Sequence, residues 1–396
     1  MPGPLHGYRI IDLSQIVSGP MATMLLSDQG ADVVKVEPVD GQDVLRRPTF
    51  SRGGLSAFFL NNNRGKRSLA VDLHRPEGRQ VILDLAATAD VFVQNFRPGV
   101  CDRMGIGYED LRAVNPDLVY VSISGFGPTG PYADRPILDP VIQGLTGMVA
   151  YQVNPEIPFP DLVRNIVSDK STALTVAQAV TAALLARERG AGGQHVEVPM
   201  IDATLFFFWS DAMVDLTMVG DGVTPGLTLA EVYRLTECLD GKLVYFAAST
   251  AHIHGVSTAV GHPEWCEDPR WCLEGFAEDP QNLLDYGQMT ADAFASMSVA
   301  DALAGLADGD VPSGPILEKA EVLDDPQVRH NESIVTWEHP EAGTIRQARP
   351  GARFSGTPAE MRLHASAKGF DTDEILAGIG RNAEEVRALR ADGTVA

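Results

Sequence analysis

The chain has 396 residues, 44% of them hydrophobic and 21% charged, an ordinary globular composition with room for two or three domains of roughly 150 residues each. A net charge of −22 at pH 7 argues against nucleic acid or an anionic membrane as the main partner, and no window approaches the ~20 apolar residues of a membrane span. The opening Met1-Pro2-Gly3-Pro4-Leu5-His6 lacks the basic and apolar regions of a signal peptide, so a cytoplasmic protein is expected.

The first 200 residues alternate strand and helix. Tyr8–Leu13 is a short apolar run, and Ser18-Gly19-Pro20 after it suits a helix start, with serine as a cap and proline in the first turn. The spacing predicts that helix over Met21–Gln29, ending at Gly30, and the next strand over Asp32–Val36. Pro76–Ala87 then reads as a helix, Val91–Gln94 as a strand, Tyr108–Val114 as a helix and Leu118–Ser124 as a strand. A long apolar helix follows from about Lys170 to Arg187, then a strand at His195–Val198 and a second buried helix at Ala203–Val219. Such alternation predicts the α/β class, with a largely parallel sheet and helices on both faces. Asp221–Gly226 has the composition of a linker, and beyond it Val232–Cys238 and Lys242–Ala248 flank Leu239-Asp240-Gly241 as a hairpin. Helical stretches near 280–296 and 299–307 complete a smaller α+β unit. The tail holds two strands near 333–349 and a helix near 372–389, too little to bury a core of its own, so it is expected to return to the first domain. The expected boundaries are 1–220 for the N-terminal part of a large Rossmann-like domain, 227–320 for a small α+β domain and 325–396 for the return.

Gly125-Phe126-Gly127-Pro128-Thr129-Gly130 matches G-x-G-x-x-G directly after a strand. A dinucleotide fingerprint needs a helix to begin inside the motif, so that backbone N–H groups face a pyrophosphate. Pro128 and Pro131 remove two of those donors, and the motif follows at least a fourth strand rather than the first, so no nicotinamide cofactor is expected. Asn61–Arg67 packs three cations into four residues and, taken alone, reads as a solvated turn. Asn95-Phe96-Arg97-Pro98-Gly99, with Arg103 after it, lies past the strand 91–94, on the edge where open α/β sheets bind ligands. An amide, an aromatic ring and two guanidinium groups suit an adenine and phosphates there, and a plain polar loop fits equally well. Residues 1–105 hold 12 basic against 11 acidic side chains, so this segment is spared the general acidity. Ser168-Asp169 opens the longest helix; the pair reads either as an N-cap with a first-turn acid or as a carboxylate kept ionised by the helix terminus and able to attack an acyl group. The four cysteines (Cys101, Cys238, Cys266, Cys272) are too scattered for a disulfide framework, and Cys266, Cys272 and His262 fit no common zinc spacing, so no metal is expected.

The segments IIDLSQIVSGPMATMLLSDQGADVVKVEP (10–38), NRGKRSLAVDL (63–73), FVQNFRPGVCDRMGIGY (92–108), VSISGFGPTGPYADRP (121–136) and GGQHVEVPMIDATL (192–205) together resemble the class III CoA-transferases, a family that also includes the α-methylacyl-CoA racemases. DVPSGPILEKAEVLDDPQVRH (310–330) and EEVRALRADGTV (384–395) extend the likeness over essentially the whole chain. The resemblance implies two interlocked chains, a homodimer, each with a Rossmann-like large domain built from both termini and a smaller domain between. It implies coenzyme A and acyl-CoA as substrates, with a carboxylic acid as the second partner. It places the family's nucleophilic aspartate at Asp169 and the adenine and phosphate positions at Val71, Asp72, Leu73, His74, Asn95, Phe96, Arg97 and Arg103. Val17 and Ser18 then face the thioester end of the cofactor, with Leu138 and Asp139 nearby. Backbone N–H groups near Val17–Ser18 or in the 125–130 loop are the expected oxyanion donors.

Several positions depart from the family pattern. Racemases carry a histidine where this chain has Leu138, which cannot move a proton, so transfer is expected rather than racemisation. Pro38 replaces a common arginine and His74 a common lysine, which weakens phosphate contacts there or shifts them to Arg75. No run of glycines occurs between 230 and 265, so formyl-CoA/oxalate exchange is not expected. The rival readings are an acyl-CoA racemase or isomerase of the same fold, and a non-catalytic acyl-CoA-binding protein. The run Leu205–Trp209 reads as core rather than as the lining of an acyl pocket, the alternative its apolar side chains also allow.

Overall fold

Six runs with apolar centres pair side by side in one sheet: β1 (Arg9–Asp12), β2 (Asp32–Glu37), β3 (Lys66–Ala70), β4 (Val91–Gln94), β5 (Val119–Ser124) and β6 (His195–Pro199). The computed structural model describes residues 2–47, 49–152 and 161–396. The sheet order is β3-β2-β1-β4-β5-β6 and every pairing is parallel. Buried on both faces, the central strands are apolar nearly throughout, as parallel sheets require. The order reverses between β1 and β4, and open α/β sheets bind ligands outside the carboxyl ends of the strands at such a switch point.

Helices α1 (Ser18–Asp28), α2 (Pro76–Ala86), α3 (Tyr108–Val114), α4 (Asp139–Leu145) and α5 (Val167–Ala186) connect or flank these strands. One face of the sheet packs Ile10, Val33, Val91 and Val121 against α1 and α5, through Ala22, Leu26, Ala173, Val176 and Val180. The other packs Ile11, Val34, Leu69 and Phe92 against α2 and α3, through Val81, Ile82, Leu85 and Leu111. Because α1 follows β1 and α5 precedes β6, both begin at the carboxyl edge of the sheet.

The chain divides into two compact units. One combines segments within Met1–Ala150, Asp161–Phe208 and His330–Ala396, and the other is made chiefly of Trp209–Arg329. The second holds an antiparallel sheet of Thr236–Cys238, Gly241–Tyr245 and Ser313–Pro315, with helices Thr250–Ala259, Pro280–Phe294 and Val299–Asp308 around a core of Leu243, Val256, Trp271 and Phe294.

Three sequence readings change. The expected helix Ala203–Val219 is two helices, Met200–Ala212 and Val214–Thr217, and only part of the Leu205–Trp209 run is core: Phe208 is buried, whereas Phe206 is 83% exposed. A helix apolar all round buries one side and leaves the other bare. The single tail helix is Thr372–Gly378 and Ala383–Ala391, parted at Gly380, whose φ of 87° suits glycine. The cations of 61–67 are not solvated, since Arg64 pairs with Asp28 and Lys66 with Asp12, both at 2.8 Å, and Arg67 with Asp32 at 2.6 Å.

Candidate active site

Asp169 is the third residue of α5 and is buried, 7% exposed. Ser168 is not the cap that its residue type suggests. It already lies inside the helix, and its hydroxyl is buried without a hydrogen-bond partner. The cap comes instead from α4, whose Asp139 accepts the N–H groups of Ser168 (2.7 Å) and Asp169 (3.0 Å) on Oδ2. Gln143, one turn along α4, donates to the other Asp139 oxygen at 2.5 Å and binds both the N–H (3.0 Å) and the carbonyl (3.3 Å) of Val163. The free N–H groups of a helix terminus thus serve Asp139, and their positive end is neutralised before it reaches Asp169.

The electrostatics follow from that arrangement. Burial, and after it the Asp139 carboxylate, push the Asp169 carboxyl up to about 6, while hydrogen bonds from the Ser18 N–H and hydroxyl pull it back. Asp169 is therefore mainly ionised at neutral pH, but by a narrower margin than a helix terminus alone would give. Ser18 starts α1, whose first turn approaches Ser14 so closely that a Cβ on Gly19 would lie 2.2 Å from the Ser14 hydroxyl.

Beneath the turn that joins β1 to α1 lies a buried ionic cluster. Asp12 accepts from Lys66 and from the Thr23 hydroxyl, both at 2.8 Å, and from the Ser14 N–H at 3.0 Å. Burial alone would raise Asp12, yet Lys66 and Lys35 together hold it down to about 2. Lys35 in turn pairs with Asp43 at 3.2 Å, with both side chains almost fully buried. A lysine within DVVKVE, an otherwise apolar central strand, was the sequence signal for such a cluster, since a buried cation requires a partner.

The remaining candidate positions occupy the same carboxyl edge. Val17 is buried as the N-cap residue of α1. Val71 is wholly buried and bridges Val395, and its N–H donates to the Glu37 carbonyl at 2.9 Å. Asp72 donates its N–H to the Thr394 carbonyl at 2.8 Å, and its carboxylate meets the His74 N–H (2.9 Å) and Arg75 (3.4 Å). Leu73 and Phe96 lie half-buried against the sheet core, and His74, Arg97 and Arg103 are exposed. Leu138 is 56% exposed. The Asn95 amide is engaged on both sides with the Gln15 backbone, accepting at 2.8 Å and donating at 2.7 Å. A cavity of about 100 Å³ opens beside Phe96 and Arg97, walled by Tyr108, Ser122 and His195. A larger cavity of about 510 Å³, between Arg9, Asp32, Asp90 and Arg362, includes none of the candidate residues. The 125–130 loop opens no helix, which removes the frame a dinucleotide fingerprint needs. Among the described residues no three His, Cys, Asp or Glu side chains converge as a metal site would require, and no helix is long and apolar enough to cross a membrane.

This fold and site define an α/β enzyme with a buried carboxylate at the ligand-binding edge of a Rossmann-ordered sheet. Residues 5–372 match the model of CoA-transferase family III, and the chain belongs to that family. It is similar to acetyl-CoA:oxalate CoA-transferase of Acetobacter aceti, 31% identical over 98% of this chain and 96% of that one. Succinyl-CoA:glutarate CoA-transferase of Mus musculus is 31% identical over 89% of this chain and 81% of its own length. Among solved structures, Rv3272 of Mycobacterium tuberculosis superposes with a TM-score of 0.81 at 31% identity, covering 95% of this chain and 99% of that one. A CaiB/BaiF family protein of Brucella suis gives 0.80 at 30% identity, covering 96% and 100%. The protein is a class III CoA-transferase, an enzyme that moves coenzyme A between an acyl-CoA thioester and a carboxylic acid.

Proposed function

We propose that Asp169 is the nucleophile of this transfer. The observation that carries the reading is a buried carboxylate in the first turn of α5, at the carboxyl edge of the sheet, with the helix terminus capped by Asp139. The Asp169 carboxylate attacks the thioester carbonyl, the C–S bond breaks, and CoA leaves as thiolate, giving a mixed aspartyl–acyl anhydride. The thiolate then attacks the aspartyl carbonyl, releasing the donor acid as carboxylate and leaving an aspartyl-CoA thioester. The acceptor carboxylate displaces CoA from that thioester, and the returning thiolate takes the acceptor acyl group and frees Asp169. The acceptor can also attack the first anhydride directly. Either order splits one difficult exchange into easier ones.

Coenzyme A lies across the switch point in this reading. Its adenine and phosphates meet the Val71–His74 turn and Phe96, Arg97 and Arg103, while the Asn95 amide is taken up by the Gln15 backbone, and its thioester end reaches Val17, Ser18, Leu138 and Asp139. The Ser18 N–H supplies an oxyanion donor. The alkyl side chain of Leu138 has no proton to move, which favours transfer over racemisation. The large unit is assembled from both ends of the chain, and a homodimer is supported by the apolar face that Phe206 (83% exposed), Phe207 (52%) and Trp209 (44%) leave open.

The test is the intact mass of the protein incubated with acetyl-CoA, succinyl-CoA and longer acyl-CoA thioesters, before and after hydroxylamine. A thioester-dependent adduct that hydroxylamine removes and Asp169→Ala lacks is the expected result. No adduct, together with exchange of the α-proton into deuterated water, would replace transfer by racemisation.

A further inference from the structure

The turn from β1 to α1 is held residue by residue from three directions. Lys35, on β2, donates to the Ser14 carbonyl at 3.0 Å. Asn95, beyond β4, closes a two-bond ring on the Gln15 N–H (2.8 Å) and carbonyl (2.7 Å). Asp43 accepts the Ile16 N–H at 3.3 and 3.4 Å and pairs with Lys35 at 3.2 Å. Ile16 itself has φ = 67°, the left-handed region that a β-branched residue avoids and keeps only when its surroundings impose it. The next two residues are Val17 and Ser18, where α1 begins, and α1 packs against α5, which carries Asp169 in its first turn.

Such a concentration of charge is not explained by stability. Buried ion pairs often contribute no more than well-packed apolar side chains of the same volume, because desolvation offsets their attraction. What these groups do provide is direction. They fix three successive peptide units of a strained turn at the switch point of the sheet.

We propose that Asn95, Lys35 and Asp43 are positioning residues, which hold the strained Ser14–Ile16 turn and so set the start of α1, with Ser18, beside the reacting carboxylate of Asp169. The inference rests on Asp169 being the nucleophile. A side chain that only gripped coenzyme A would act on binding. One that aims Ser18 acts on the chemical step and on the acidity of Asp169, where Asp139 is the charged neighbour that sets the opposing pull.

Asn95→Ala is the variant to use, because Asn95 is only half-buried, whereas Asp43 and Lys35 are enclosed and their loss threatens folding. The rate of covalent adduct formation is followed by rapid-quench intact mass from pH 5 to 8, at saturating acetyl-CoA or succinyl-CoA, whichever labels the unaltered enzyme. The expected outcome is a rate lowered by roughly ten- to a hundredfold, the loss typical of a misplaced catalytic contact, with the acid limb moved to higher pH. Adding Ile16→Gly, which occupies positive φ freely, should restore part of that rate. A raised KM with an unchanged maximal rate and an unchanged acid limb would overturn the proposal and leave Asn95 as a cofactor contact. A double variant no faster than Asn95→Ala would also count against it. Failure of the unaltered enzyme to label on Asp169 would instead remove the nucleophile itself, and the two failures are thereby distinguished.

Discussion

The carboxyl of Asp169 is lifted to about 6 by burial and by Asp139, and this has a consequence for folding as well as for chemistry. A group whose folded-state pKa is raised favours the fold fully below its ordinary range, and that contribution is lost as the pH rises through the folded value. Between about pH 4 and 6 the unfolded chain ionises this carboxyl while the fold still holds its proton, so stability falls with rising pH across that window. Asp169→Asn should abolish transfer yet stabilise the protein at pH 7.5 by on the order of 2 kcal/mol. Thermal unfolding at pH 7.5 and near pH 4 checks this, the gain being present at the first and absent at the second. Ser18→Ala acts in the opposite sense on the same carboxyl. It removes one donor to the ionised form, worth about 1 kcal/mol or roughly 0.7 of a pH unit, so the acid limb of kcat/KM should move upward by about that amount. Neither the raised pKa of Asp169 nor the influence of Ser18 on it was legible in the residue types. Asp169 was singled out by its place at a helix start and by family resemblance, and a helix terminus by itself argues for a lowered value.

Helix α5 owes its first turn to a side chain outside it, since Asp139 reaches across from α4 to cap Ser168 and Asp169. Two substitutions separate the two effects of that carboxylate. Asp139→Asn keeps an oxygen for the N–H groups but removes the charge beside Asp169, so the acid limb should fall below the unaltered enzyme's, with a smaller loss of stability from turning an amide NH2 toward the Gln143 donor. Asp139→Ala leaves two buried N–H groups unpaired and should cost roughly 2–4 kcal/mol by chemical denaturation. Equal losses of stability in both variants would show that charge, not capping, is what α5 requires. The positions of β4 and α3 were readable because their bounds are set locally, by an apolar run that stops at Asn95 and by a helix that begins after Gly107. The cap of α5 was not, because its donors and acceptor lie 29 and 30 residues apart in the chain. The cations of 61–67 failed for a similar reason. Local composition calls them solvated, and only the sheet order brings Asp12, Asp28 and Asp32 to meet them.

Across the whole molecule, alternation of strand and helix was enough to imply a parallel sheet and a ligand-bearing carboxyl edge, but not which distant segments complete that edge. The most remote of these is the far end of the chain. Val395 bridges Val71, the Thr394 carbonyl accepts the Asp72 N–H at 2.8 Å, and the Ala396 N–H reaches the Ala70 carbonyl at 3.2 Å. The Thr372 hydroxyl binds the Ala396 carbonyl at 2.6 Å, which ties this short addition to helix Thr372–Gly378. Strand β3 is the outer strand of the sheet; Asp371 and Thr372 satisfy the backbone groups of Ser68 and the N–H of Ala70 on its open edge, and Ala396 completes the cover at the Ala70 carbonyl. Residues 394–396 also fix the turn Val71–His74, which the proposed function gives to the nucleotide end of coenzyme A. Removing residues 394–396 frees that turn without touching Asp169, Ser18 or the buried cluster beneath them. The expected result is a KM for the acyl-CoA raised severalfold with kcat nearly unchanged, and a melting temperature lowered by a few degrees that saturating CoA restores only in part. Steady-state kinetics beside thermal unfolding with and without CoA decide it. A fall in kcat at unchanged KM would place the nucleotide elsewhere than the Val71–His74 turn, and would leave the end of the chain a purely structural cover for β3.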